Sequence, residues 1–193
     1  MPVDFKSLPK IELHCHLDAS VRVATVADLG RKIGLNLSAP LESALIAPEF
    51  CRDLDDYLVR IDLALEVMQH RDHLVRIARE IVEDLAADGV IYGEVRFAPQ
   101  LHLRNGLTMQ EVLNAVHEGL LQGKRQTGIK TGLIVCCLRH EPAERSIEIA
   151  KLAVNNRDKV CALDLAGDEA RYIGAPHAKA FALAKREGLR RTV

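Results

Sequence analysis

From residue 90 onward the chain repeats one unit three times, and that repetition limits the folds open to it. "VIYGEVRFAP" (90–99) reads as a strand closed by a proline, followed by the helical stretch "TMQEVLNAVHEGLLQGKRQ" (108–126). "KTGLIVCCLR" (130–139) precedes the helix "EPAERSIEIAKLAVN" (141–155), and "VCALDLAG" (160–167) precedes "PHAKAFALAKREG" (176–188). Short, nearly unbroken apolar runs mark strands covered on both faces, whereas three- and four-residue apolar spacings mark helices with one buried side. Strands alternating with helices imply right-handed crossovers and a parallel sheet.

The first half fits the same scheme with one elaboration. "KIELHCH" (10–16) is a strand, "TVADLGRKIG" (25–34) a short helix stopped by Gly34, and "PLESALIAP" is turn-bounded and ambiguous. "RDLDDYLVRIDLALEVMQ" (52–69) and "RDHLVRIAREIVEDLAADG" (71–89) are two helices with acidic residues early in each, the second ending at Gly89. Extra helices therefore lie between the first and second strands, and "LRRTV" at the end begins a fifth strand. A closed (β/α)8 barrel needs eight units and about 250 residues, with a lower limit of about 200. Periodicity thus leaves two architectures: a small open α/β sheet, or the front half of a barrel, in which case residues 1–193 are expected to form a single incomplete domain.

Charge narrows the partners. With 26 basic and 27 acidic residues the net charge is −1, which provides no field to recruit nucleic acid or anionic lipid. No apolar run is long enough to cross a bilayer, and "MPVDFKSLPK" lacks the basic-then-apolar order of a signal peptide. The five cysteines are odd in number and scattered, and all but Cys51 fall in strand-like segments as small apolar residues, which fits a reducing cytoplasm. The expected partner is a small molecule or another protein.

Three constellations carry potential chemistry. In "LPKIELHCHLDAS" (8–20), His14 and His16 sit at i and i+2 of a strand and share a face, with Asp18 next in phase if the extended conformation persists. Their α-carbons would lie about 6.6 Å apart, within reach of one metal ion. Spacing alone equally allows two histidines hydrogen-bonded at a strand end. Cys15, between them, should face away. In "ALDLAGDEA" (162–170), Asp164 stands inside an apolar strand and Gly167 at its C-terminal end, where parallel α/β folds place their chemistry; Asp168 and Glu169 read as solvated turn acids. Glu94, Arg96 and Arg139 are charges at strand ends and are expected to pair with one another as a network supporting a site. His140 reads as a loop residue, and His70, His73, His102, His117 and His177 have no metal-type partners in sequence. No G-x-S-x-G, phosphate-cradling loop or cysteine with a local histidine base is present.

Taken in order, "LPKIELHCHLDAS", "YGEVRFAP", "CCLRHEP" and "DLAGDE" resemble the adenosine deaminase family over nearly the whole chain. The resemblance implies a (β/α)8 barrel and hydrolytic, zinc-dependent conversion of adenosine or deoxyadenosine to inosine or deoxyinosine plus ammonia. It implies that His14 and His16 are zinc ligands, that His16 also borders the substrate, that Asp18 binds a ribose hydroxyl, and that Gly167 contacts the purine. Tyr57, Leu58 and Ile61 in "DDYLVRID" would form an apolar lid, with plain helix core as the alternative. The family's H-A-G-E motif, with a third zinc histidine and the proton-shuttling glutamate, would follow directly after Val193, so no general acid/base is expected within these residues and the chain alone is expected to be inactive. Alternatives are a deaminase of adenine or another 6-aminopurine nucleoside, and, in a different class, a non-catalytic half-barrel that self-associates through its open sheet edge or serves as a metal-binding module.

Overall fold

The computed structural model describes residues 5, 8–37 and 40–193; most of "MPVDFKS", read above for a leader, lies outside them. Five parallel strands stand side by side in chain order: β1 (Lys10–His16), β2 (Val90–Phe97), β3 (Lys130–Leu138), β4 (Val160–Ala166) and β5 (Arg190–Arg191). Between the first two come α1 (Val23–Lys32), α2 (Leu41–Leu45), α3 (Leu54–Leu58), α4 (Asp62–Val67) and α5 (Arg71–Ala87). Then α6 (Met109–Thr127), α7 (Ala143–Asn155) and α8 (Ala178–Arg186) alternate with the remaining strands. No helix among the described residues is long and apolar enough to cross a membrane.

The helix boundaries follow from local chemistry. At the start of α6, Thr108 Oγ1 accepts the Glu111 amide while the Glu111 carboxylate accepts the Thr108 amide, a reciprocal capping box. Its far end stops at Gly128, whose φ of 80° is left-handed. The amphipathic faces of α5, α6 and α7 then close on one side of the sheet, where Val95, Phe97, Leu133, Val135 and Leu163 meet Ile77, Leu113 and Ile149 in a single buried core. α5 and α6 approach so closely that a β-carbon on Gly119 would lie 2.3 Å from the Val75 carbonyl oxygen. The other face of the sheet has only a small apolar cluster, Ala98, Cys136 and Leu138.

Two elements depart from the periodicity. The single helix read over 52–69 is two, because Arg60 and Ile61 donate to Tyr57 and Leu58, three residues back, and interrupt the i−4 ladder. The break separates Tyr57, Leu58 and Ile61, which line a cleft, from Ala64, Val67 and Met68, which are buried in the core. Strand β1 is also irregular. Glu12 pairs with Gly93 and Cys15 with Val95, so Leu13 and His14 together oppose one residue, Glu94. This is a β-bulge, and it shifts the in/out alternation of everything after it by one residue.

Candidate active site

The chemistry-bearing residues gather at the C-terminal ends of the strands. A cleft of about 350 Å³ is lined by His14, His16, Tyr57, Leu58, Ile61 and Gly167, with Asp164 and Arg139 in its wall. An adjoining cavity of about 490 Å³ shares His16, Leu58, Ile61 and Gly167 and adds Asp18. Six of the seven residues singled out in the sequence thus meet in one cleft, and the seventh borders its neighbour.

The two imidazoles lie with ring centroids 5.4 Å apart, tilted by 42°. Burial, reinforced by the nearby His14 and Arg96, lowers the His16 pKa and favours the neutral ring. A neutral ring nitrogen is the form that donates to a metal. Among the described residues no third His, Cys, Asp or Glu completes a metal cluster. The pair fits two positions of a zinc coordination sphere.

Asp18 reaches the site by a different route from the one its phase suggested. The extended conformation ends at His16 and Asp18 sits in the following turn, with its Oδ1 3.8 Å from His16 Nδ1. Its side chain is buried, that oxygen has no hydrogen-bond partner, and burial pushes its pKa up to about 6. An orphaned carboxylate oxygen beside a cavity is suited to accept a hydroxyl proton. At Gly167 the requirement is conformational: φ is +107°, and a β-carbon would meet nothing closer than the Arg139 nitrogen at 3.5 Å.

The charged residues at the strand ends do not pair with one another as expected; each finds a separate partner. Arg96 donates from Nη1 to Asp164 Oδ2 at 2.8 Å and from Nη2 to the Leu13 carbonyl at 2.7 Å. Glu94 accepts from the Tyr92 hydroxyl at 2.8 Å, and Arg139 bonds Glu169 at 3.0 Å. The reason is reach: Arg96 and Asp164 both stand on the face of the sheet opposite the helix-side core, across β3. Burial works to raise the Asp164 pKa, but the Thr192 hydroxyl, Arg96 and the Cys136 thiol outweigh it and hold the carboxyl below its ordinary value. Asp168 and Glu169 behave as turn acids, Asp168 accepting the Ala170 amide at 2.9 Å.

Two further histidines serve the fold: His73 bonds the Val67 carbonyl at 2.8 Å and His177 the Ser146 hydroxyl at 2.7 Å, while His140 lies exposed in a turn and lines the adjoining cavity. Cys15 turns away from the histidines towards Ser20, Sγ to Oγ 3.5 Å. Two contributors were missed in the sequence. Glu12 accepts the His14 amide at 2.7 Å, and its only signal was an acid two residues before a histidine in a strand. Arg171 joins Asp55 of α3 to Asp168 after β4, a pairing across 116 residues that no local pattern reveals.

Comparison with known proteins agrees with this geometry. The sequence model for adenosine deaminase matches residues 9–193. The adenosine deaminase of Clostridium acetobutylicum is 40% identical over 191 residues, covering 97% of this chain and 57% of that protein. An amidohydrolase from Burkholderia ambifaria, solved with bound Zn, superposes with a TM-score of 0.86 at 26% identity over 97% of this chain and 52% of its own. The N6-methyl-AMP deaminase of Arabidopsis thaliana, in its apo form, superposes with a TM-score of 0.81 at 30% identity, covering 97% and 57%. The chain therefore spans somewhat more than half the length of the curated relative it matches. Its five-stranded sheet corresponds to the first strands of a (β/α)8 barrel, with the additional helices between β1 and β2. By its sequence and its fold, the chain belongs to the adenosine deaminase family.

Proposed function

We propose that residues 1–193 are part of one barrel domain of a zinc-dependent enzyme that hydrolyses adenosine and deoxyadenosine to inosine and deoxyinosine, releasing ammonia. The observation that supports this most is the meeting of His14, His16, Tyr57, Leu58, Ile61 and Gly167 in a single cleft. His14 and His16 would hold the metal. Zinc, when bound, supplies activation of water at neutral pH. The chain's own residues do the rest: Asp18 accepts a hydrogen bond from a ribose hydroxyl through its orphaned oxygen, and His16 borders the substrate. Gly167 presents backbone to the purine, and Tyr57, Leu58 and Ile61 cover it and keep bulk water out. The carboxylates lining this cleft do not serve as its proton shuttle. Asp164 has both oxygens bonded, to Arg96 and Thr192, and Glu169 is exposed and paired with Arg139. By the family resemblance, the glutamate of an H-A-G-E motif would take that role, and the 193 residues alone are expected to turn over no substrate.

The test is a deamination assay with adenosine, deoxyadenosine, adenine and N6-methyl-AMP, run with zinc. It compares the 193-residue chain with a longer one carrying the C-terminal portion of the Clostridium acetobutylicum relative after Val193. Turnover confined to the longer chain, abolished in His14→Ala, is the expected result. Turnover by the short chain refutes the assignment of the proton shuttle. A folded, zinc-loaded long chain that leaves all four purines intact refutes the deaminase reading; preference for adenine or another 6-aminopurine nucleoside moves the substrate within it.

One observation favours the non-catalytic alternative of self-association. Ile11 and Leu13 on β1 are 63% and 53% exposed, and β1 has a partner strand on only one side among the described residues. A monomer by sedimentation at micromolar concentration refutes it.

A further inference from the structure

The bulge in β1 has two backbone groups that the sheet does not satisfy, and two side chains satisfy them. The His14 N–H donates to Glu12 Oε1 at 2.7 Å, and the Leu13 carbonyl accepts from Arg96 Nη2 at 2.7 Å. The second hand of the Arg96 guanidinium is fixed on Asp164 Oδ2 at 2.8 Å, and the Thr192 hydroxyl holds the other carboxylate oxygen at 2.5 Å. Arg96 and Asp164 are each 3% exposed at the side chain, so this strap runs through the interior from β1 over β2 and β3 to β4 and the residue just after β5. The bulge decides where the histidines point. Gly93 and Val95 share a face of β2, so their partners Glu12 and Cys15, three residues apart, share a face of β1 that a regular strand would deny them. The phase reset keeps Cys15 on the helix side and places His14 and His16 on the side of Arg96.

We propose that Arg96 and Glu12 are positioning residues: by clamping the bulge from both sides they turn His14 and His16 into one cleft, so that the metal affinity of the pair is set by side chains on β2 and β4 as well as by β1. This rests on the metal reading of the His14–His16 pair given above. The clamp itself is a feature of the fold and has its own readout.

The experiment titrates the 193-residue chain with Zn²⁺ against a chromophoric chelator and follows exchange of the His14 backbone amide by NMR. The variants are Glu12→Ala and the double substitution Arg96→Met with Asp164→Leu, which removes the strap without leaving a buried charge unpaired. His14→Ala defines binding by one imidazole. Circular dichroism and unfolding midpoints confirm that each variant is folded. Loss of supporting groups around a metal site typically weakens binding by about 10- to 100-fold. Both clamp variants should fall at least about tenfold in Zn²⁺ affinity, towards the His14→Ala value, and should release the His14 amide to fast exchange while amides in β3 stay protected. Folded clamp variants with wild-type affinity and a still-protected His14 amide would overturn the proposal. If the wild type binds Zn²⁺ no better than His14→Ala, the metal reading fails, and amide exchange alone decides whether the clamp holds the bulge.

Discussion

Over β2 and β3 the apolar residues of α5 and α6 close against the sheet with the periodicity their sequences show, and Gly119 lets the helices touch. Around β1 the same chain breaks its own pattern within ten residues: a bulge, an orphaned buried carboxylate at Asp18, and two exposed aliphatic residues at Ile11 and Leu13. Burial of apolar area organises the first region. Side chains that reach across the sheet organise the second, and their removal should be felt in a different way. Sequences that fold well tend to violate local rules at functional sites, and the violations here lie around the cleft.

The largest expected effect tests that division directly. Arg96→Met alone leaves Asp164 charged, buried and bonded only to Thr192 and Cys136. Stranding one partner of a buried pair costs about 3–5 kcal/mol, whereas replacing both partners with apolar groups is often neutral. Urea unfolding of the single and double variants should therefore differ by several kcal/mol, with the double variant near wild type. Equal losses in both would mean that the strap contributes packing, as in the helix layer, rather than mutual charge compensation.

Next comes a residue at the border of the two regions. His102 follows β2 in a short 3-10 turn (Pro99–His102), fully buried against Phe97, and neither ring nitrogen makes a well-formed hydrogen bond. Burial lowers its pKa to about 4. A folded pKa below the unfolded value of about 6.5 means that the unfolded chain binds the proton more readily. Stability from this group is therefore present above pH ~6.5 and lost as pH falls through ~4, amounting to about 3 kcal/mol. His102→Phe should abolish that part of the acid sensitivity in unfolding midpoints measured across this range. An unchanged pH profile would place the histidine with the hydrogen-bonded His73 and His177.

Within the helix layer itself, Gly119→Ala drives a methyl into the Val75 carbonyl and Ala78. Overpacking of this kind costs about 1–3 kcal/mol. The effect should appear in the unfolding midpoint and leave Zn²⁺ binding by the His14–His16 pair untouched. A parallel loss of metal affinity would show that the two regions are coupled through the sheet.

These contrasts also explain what was legible in the sequence. The helices of the second half were readable because apolar spacing is local, and at α6 Thr108, Glu111 and the left-handed Gly128 also mark both ends. The gathering of His14, His16 and Gly167 at one rim followed from the rule that parallel strands place their C-terminal ends together. The bulge did not follow, because register is a relation between two strands, and nothing in "KIELHCH" tells which of its residues shares a partner. The partner of Arg96 was likewise hidden: Glu94 is nearest in sequence, but Asp164, 68 residues away, lies across β3 on the same face of the sheet. Division of 52–69 into α3 and α4 escaped as well, since apolar spacing continues through the break.

The smallest expected effect on stability is at the mouth of the cleft, where Arg171 binds Asp55 at the start of α3 and Asp168 on the loop after β4. Arg171 and Asp55 are exposed and only Asp168 is partly buried, and ion pairs with so much solvent access contribute little to folding. Arg171→Ala should therefore leave the urea midpoint where it is. Yet this is the contact that ties α3, with Tyr57 and Leu58, to the opposite wall containing Gly167. Hydrogen exchange of α3 amides should accelerate in the variant, and in the wild type as salt is raised, because screening weakens exposed pairs. Exchange in α5 and α6 should not respond to either change. If α3 exchange is indifferent to both, its seating comes from the apolar contacts of Leu58 and Ile61, and α3 then belongs with the helix layer instead of the charged rim.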